Sequence, residues 1–258
     1  MPLVTFQEQD NLGEIVINNP PRNLFTGDAL TDLGAAVNDA AASDVRAVLL
    51  RAEGDDFSYG AADGSVFLGL GAAEAAGLAS AVIGFTSAVE ALSVPTVALI
   101  QGQCWDGALE MCLACDLIWA AEGSQIGQIE SQAGGMPYAG GTQRLASRIG
   151  TARAAEMVLT GAVLPAETLL SWGAINRVTP ADRLLADGRA FAQSLANGPT
   201  LAHKATKRIL HAWRSGGIAE ADRVTVAEAP AVMLSEDLRD GLTSLQRHGL
   251  GHAIFNGR

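Results

Sequence analysis

The chain has few of the residues that would staple it or tie it to a membrane. Three cysteines in 258 residues, an odd number, do not make a disulfide framework. No apolar run reaches the roughly 18–20 residues that cross a bilayer. The opening M-P-L-V-T-F-Q-E-Q-D lacks the basic flank and apolar stretch of a signal peptide. These absences lead us to expect a soluble, cytoplasmic protein with no membrane partner. Positive charge is scarce early on: residues 1–143 carry 3 Lys and Arg against 18 Asp and Glu, and residues 144–258 carry 14 against 10. A net charge of −11 argues against nucleic acid as the main partner. A small anionic ligand needs only a few well-placed cations, and most of them lie in the second half. There is no G-x-G-x-x-G nucleotide fingerprint, and no Ser-His-Asp arrangement stands out. The four histidines (His203, His211, His248, His252) fall in the last quarter without metal-ligand spacing. The single pair Cys112-x-x-Cys115 lies inside an apolar helical segment, where core packing explains it better than zinc or redox chemistry.

What the chain does have is apolar residues, at 48% of the whole, against 17% charged. That is enough for a large core and too much for disorder. Val4–Phe6 and Gly13–Asn18 read as strands around an N-L-G turn. Thr26 or Asp28 caps a helix to about Ala42. Val45–Arg51 and Val94–Ile100 are apolar enough to be strands buried on both faces. Helices are predicted from Ala72 or Ala75 to Leu92, over Ala108–Cys115, near 141–149, 151–159 and 165–171, and over Arg183–Ala196 and Thr200–Ser215. A last helical stretch, about Glu220 to His248, contains Pro230 and should break there. Short strands are expected at Leu117–Ala120 and Ile175–Val178. Strands alternate with helices early and helices dominate late, an α/β core followed by a helical C-terminal part. We divide it at 1–195 and 196–258.

Two turns follow the apolar strands, Gly60-Ala61-Ala62 and Asp106-Gly107-Ala108. Small residues there let backbone approach a ligand, and peptide N–H groups aimed at one carbonyl oxygen would stabilise an oxyanion. The second turn opens a helix, so the helix dipole points the same way. Glu110 lies one turn into that helix, where it could also complete a capping box. Glu130 follows twenty positions later in a small-residue loop. Two carboxyls flanking a water can act as an acid–base pair, whereas separately they are a capping residue and a solvated loop carboxylate. His203, Lys204, Lys207, Arg208, His211 and Arg214 recur at helical steps as one basic stripe, either a solvated face or a phosphate contact.

At this point the residues resemble a known family. N-P-P-R-N-L-F, F-S-Y-G-A, V-P-T-V-A-L-I-Q-G, L-E-M-C-L-A-C-D, I-G-Q-I-E, G-M-P-Y-A-G-G-T-Q-R and the terminal F-N-G-R stand in the order and spacing of the crotonase superfamily, the enoyl-CoA hydratases and isomerases. The resemblance implies repeated ββα units forming a β-β-α superhelix, with a helical C-terminal trimerisation region and assembly as a homotrimer or a dimer of trimers. It implies an acyl-CoA thioester held with its carbonyl between the amides of Ala61 and Gly107, and no cofactor beyond the coenzyme A that the substrate carries. It assigns Glu110 to activating the water that adds at C3, and Glu130 to the proton at C2. Arg22 stands near where the family places a basic residue against coenzyme A, and Phe255 lies in a stretch that often reaches its nucleotide.

The chain departs from the family pattern at Asp106, where glycine is usual, at Ala62 with Asp63 beside it, and at Tyr59, Trp105 and Ile129. With Gly60, the residues Tyr59, Ala62, Asp63, Trp105 and Asp106 are expected to line the substrate position, and the departures point to a non-standard acyl group. The activity implied is syn hydration of a 2-enoyl-CoA. The alternatives are double-bond isomerisation on the same oxyanion hole and a non-catalytic binding homologue.

Overall fold

The computed structural model describes residues 1–61 and 64–258; the expectations for Ala62 and Asp63 lie outside the described residues. Strands β1 (Val4–Gln9) and β2 (Leu12–Ile17) form a hairpin in which Gln9 faces Leu12. Its turn is Asp10-Asn11, both left-handed (φ 50° and 68°), which matches the twist of the flanking strands. The turn therefore lies one residue earlier than the N-L-G expected, and Leu12 is a buried strand residue. Helix α1 (Gly27–Ala42) is capped by Thr26, which accepts from the Ala29 N–H at 3.1 Å.

The chain then alternates: β3 (Ala47–Ala52), α2 (Ala72–Glu90), β4 (Thr96–Ile100), β5 (Gln103–Trp105), α3 (Gly107–Ala114), β6 (Leu117–Ala121), β7 (Gln125–Gly127) and α4 (Gly141–Thr160). Next come β8 (Val163–Pro165), α5 (Ala166–Trp172), β9 (Arg177–Thr179), α6 (Leu184–Ala196), α7 (Thr200–Met233) and α8 (Glu236–His248). The main sheet runs β1-β2-β3-β4-β6-β9, antiparallel at β1–β2 and parallel beyond.

β3 and β4 are buried along their whole length, as their largely apolar sequences require; Arg51, the charged exception in β3, is paired with Glu14 at 2.8 Å. Ala98 and Ile100 pack with α1, α3 and α4 on one face; Leu49, Val97 and Leu99 pack with Leu184 and Ala192 of α6 on the other. The mixed α/β architecture with a helical C-terminal region is as expected. A second sheet, β5-β7-β8, was not legible in the sequence, because each strand is three residues long and shows no periodicity.

Three further differences have local causes. The long C-terminal helix kinks at Gly217 (φ 70°), in the gap expected between Ser215 and Glu220, but Pro230 sits within it without breaking it. Its end comes after Met233, where Ser235 caps α8 by accepting from the Leu238 N–H at 3.0 Å. The basic stripe is largely paired within the chain: Lys207 with Asp116 at 2.8 Å, Arg214 with Glu90 at 2.6 Å, and Arg208 with Glu228. By length and composition alone, α2 could cross a membrane, with a mean hydropathy of 1.4. Counting only unbroken apolar runs missed it, because Gly, Ser and Thr interrupt the stretch without making it polar.

Candidate active site

Both small-residue turns lie at the carboxyl ends of parallel strands, where ligands bind in open α/β sheets. The first is fixed by Asn23, buried and left-handed (φ 51°), whose side-chain amide donates to the carbonyls of Glu53 and Asp56 at 2.8 and 2.9 Å. Ser58 Oγ donates to the Asn23 carbonyl at 2.6 Å and accepts from the Gly60 N–H at 3.0 Å. The Phe25 N–H bonds the Gly60 carbonyl at 2.8 Å, and Ala61 bridges to Phe25.

The second turn is pinned to the first and to β7. The Trp105 N–H donates to the Ser58 carbonyl and the Asp106 N–H to the Gly127 carbonyl, both at 3.1 Å. Gly107 is the first residue of α3, so its N–H is one of those a helix start leaves without an intrahelical partner. Ala61 and Gly107 are thus neighbours through the contact of Gly60 with Asp106.

The carboxyls come next. Glu110 is 3% exposed and its Oε2 accepts from the Gly141 N–H, at the start of α4, at 2.5 Å. That gives the G-G-T-Q-R signature a physical reason. A Cβ on Gly141 would stand 2.8 Å from Gln128 Oε1 and 3.0 Å from Glu110 Oε2. Burial pushes Glu110 up to about 7; the N–H groups of Gly141 and Ala139 and the charge of Arg144 restrain the rise, and Asp106 adds to it. Glu130 opens a short 3-10 turn, Glu130–Ala133, after Gln128 and Ile129, which follow the Ile126-Gly127 end of β7. Burial pushes it up to about 8, reinforced by the negative charges of Asp106 and Glu110. Burial raises Asp106 as well, and its closeness to the Glu130 carboxyl restrains that rise. Glu110, Glu130 and Asp106 therefore share one small volume, although the sequence separates Glu130 from the other two.

Tyr59 and Trp105 meet edge to face with centroids 4.5 Å apart, and the exposed Arg22 guanidinium lies 5.1 Å from the Tyr59 ring centre. These three line one side of the paired turns. Phe255 is not brought there. It packs beside Gly241 of α8, and its carbonyl accepts from Arg46, which precedes β3 and so lies at the opposite end of the sheet. The cysteines are buried core residues, with the Cys112 and Cys115 thiols pushed up by burial.

Sequence reading missed Gln128, which is fully buried. Its Nε2 donates to the Asp106 carbonyl at 3.2 Å, while its Oε1, beside Glu110, has no partner among the described residues. An amide two residues before a known carboxyl, on the same extended segment, was the available signal.

Two desolvated carboxyls beside a helix-start N–H make a site suited to acid–base chemistry on a carbonyl compound. The chain matches the enoyl-CoA hydratase/isomerase family over residues 7–244, and it belongs to that family. Carnitinyl-CoA dehydratase of Salmonella heidelberg is 34% identical over 154 residues, which cover 58% of this chain and 59% of that protein; the chain thus spans about three-fifths of the length of the curated relative it matches. An enoyl-CoA hydratase structure from Geobacillus kaustophilus superposes with a TM-score of 0.92 at 25% identity, covering 100% of this chain and 98% of that one. The enoyl-CoA hydratase of Bacillus anthracis superposes at 0.90 over 99% of this chain and 100% of its own; at 24% identity it speaks for the fold alone.

Proposed function

We propose that this protein is a hydro-lyase that adds water, syn, across the double bond of a 2-enoyl-CoA thioester. The observation that carries this reading is the convergence of Glu110 and Glu130 beside the start of α3, at the point where the two small-residue turns touch. With the thioester carbonyl oxygen between the N–H groups of Ala61 and Gly107, the enolate that forms on attack at C3 is stabilised by roughly 3–4 kcal/mol per donor. Glu110, ionised, takes a proton from water as the hydroxyl oxygen bonds to C3. Glu130, protonated, gives its proton to C2. Both carboxyls act from the same side of the substrate, hence syn addition. A dehydratase runs these bond changes in reverse, which is why the likeness to carnitinyl-CoA dehydratase supports the same class.

Arg22, Tyr59 and Trp105 form the side of the site toward which coenzyme A would lie. We also propose assembly as a homotrimer or a pair of trimers, since Trp213, Ile218, Val226, Met233 and Leu245 leave α7 and α8 with exposed apolar surface. The deciding experiment offers the protein a panel of short, long, branched and cyclic 2-enoyl-CoA thioesters and follows loss of the conjugated enoyl absorbance. Turnover on at least one supports hydration. Binding of coenzyme A thioesters with no turnover on any of them overturns it.

A further inference from the structure

Asp106 occupies the N-cap position of α3 without acting as a cap: among the described residues its side chain makes no cap hydrogen bond. Its backbone (φ 52°, ψ −135°) lies in a region that glycine adopts freely and other residues only under strain. A carboxylate that does not cap, on a backbone that disfavours it, needs another explanation. It lies between Gly60 and Glu130. A Cβ on Gly60 would be 3.2 Å from Asp106 Oδ2, and the Asp106 backbone is tied to the segment leading into Glu130, its N–H donating to the Gly127 carbonyl and its carbonyl accepting from Gln128 Nε2. Asp106 Oδ1 and both Glu130 oxygens are buried, and none of the three has a hydrogen-bond partner among the described residues. Two neighbouring carboxylates hold only acceptors, so a proton on one of them is what satisfies these buried oxygens.

We propose that Asp106 is a positioning residue that holds one proton on the Asp106–Glu130 carboxyl pair, so that the resting site presents Glu130 as an acid. The other charged groups around the pair are Glu110 of α3, a second negative charge, and Arg144 of α4, whose guanidinium is bound to Glu90 at 2.8 Å. Gln128 and Trp105, from the flanking strands, are neutral. No cation among these described neighbours neutralises the pair directly, which is why the proton stays. When Glu130 gives its proton to C2, both carboxyls are left ionised and in contact. Recapture of a proton, from solvent or from the group that deprotonated the water, is thereby favoured. The identity of C2 rests on the hydratase reading; the shared proton does not.

The test uses Asp106→Gly and Asp106→Asn in the full chain. Glycine suits the backbone at this position, so Asp106→Gly should fold with a higher thermal midpoint than the parent. The proton is read without substrate, by infrared titration of the protonated-carboxyl C=O band, with Glu130→Gln identifying the Glu130 component. We expect the midpoint of that component to fall by about one pH unit or more in both Asp106 variants. In substrate assays the alkaline limb of the pH–rate profile should move down by the same amount. An unchanged Glu130 midpoint in both variants would overturn the proposal, even if both variants lost activity. If the midpoint falls but no enoyl thioester is turned over, the shared proton stands and the hydratase reading fails.

Discussion

Gly60 and Asp106 lie in contact, and that contact joins the two turns that would hold the substrate carbonyl. Gly60 is left-handed (φ 82°), and a Cβ there would stand 2.9 Å from the Trp105 carbonyl oxygen. Gly60→Ala must therefore move one turn away from the other. Because donors act only within hydrogen-bonding distance of the oxyanion, we expect kcat to fall by ~100-fold or more. Gly107→Ala, whose new methyl group would meet only Phe25 at 3.9 Å, should keep its N–H in place and cost far less. Steady-state kinetics of the two variants side by side would check this. Similar losses in both would show that the turns need not touch.

The proposed division of labour requires Glu110 ionised and Glu130 protonated at the same time. With Glu110 raised to about 7 and Glu130 to about 8, activity should follow a narrow bell, rising near 7 and falling near 8. Because these groups interact, the two limbs belong to the cluster rather than to single residues. A profile flat from pH 6 to 9 in kcat/KM would contradict the assignment.

The same shifts carry a stability cost that grows with pH. Glu130 ionises near 4.5 in the unfolded chain and near 8 in the folded one. Between those values the folded state keeps a proton that the unfolded state has released, so this group's contribution falls as pH rises through the window. Glu130→Gln removes that loss. Thermal unfolding should show no gain for the variant at about pH 4, and a gain on the order of 2 kcal/mol at about pH 9, after discounting for partial exposure. An equal gain at both pH values would mean that the stabilisation is not electrostatic.

Much of this was legible in the sequence, and the exceptions share a cause. Strands β3 and β4 could be read because burial on both faces demands largely apolar runs, which a single paired Arg51 does not hide. Glu110 and the Gly107 turn could be read because they are close neighbours on one helix. The meeting of Glu130 with Asp106 could not. It depends on β5 pairing with β7, Trp105 opposite Gly127, and three-residue strands leave no periodic trace. The basic stripe misled for a related reason. Helical spacing puts those side chains on one face, but only the fold brings Asp116 and Glu90 to meet them.

The most direct test of the account is to run the reaction in deuterium oxide and locate the deuterium in the product by NMR. Hydration by these residues predicts one deuteron at C2, a hydroxyl at C3 and a single diastereomer, with Glu110→Gln and Glu130→Gln each reducing the rate by ~100-fold or more. Deuterium at C4 with no hydroxyl gained, or near-normal turnover in either glutamine variant, would contradict it.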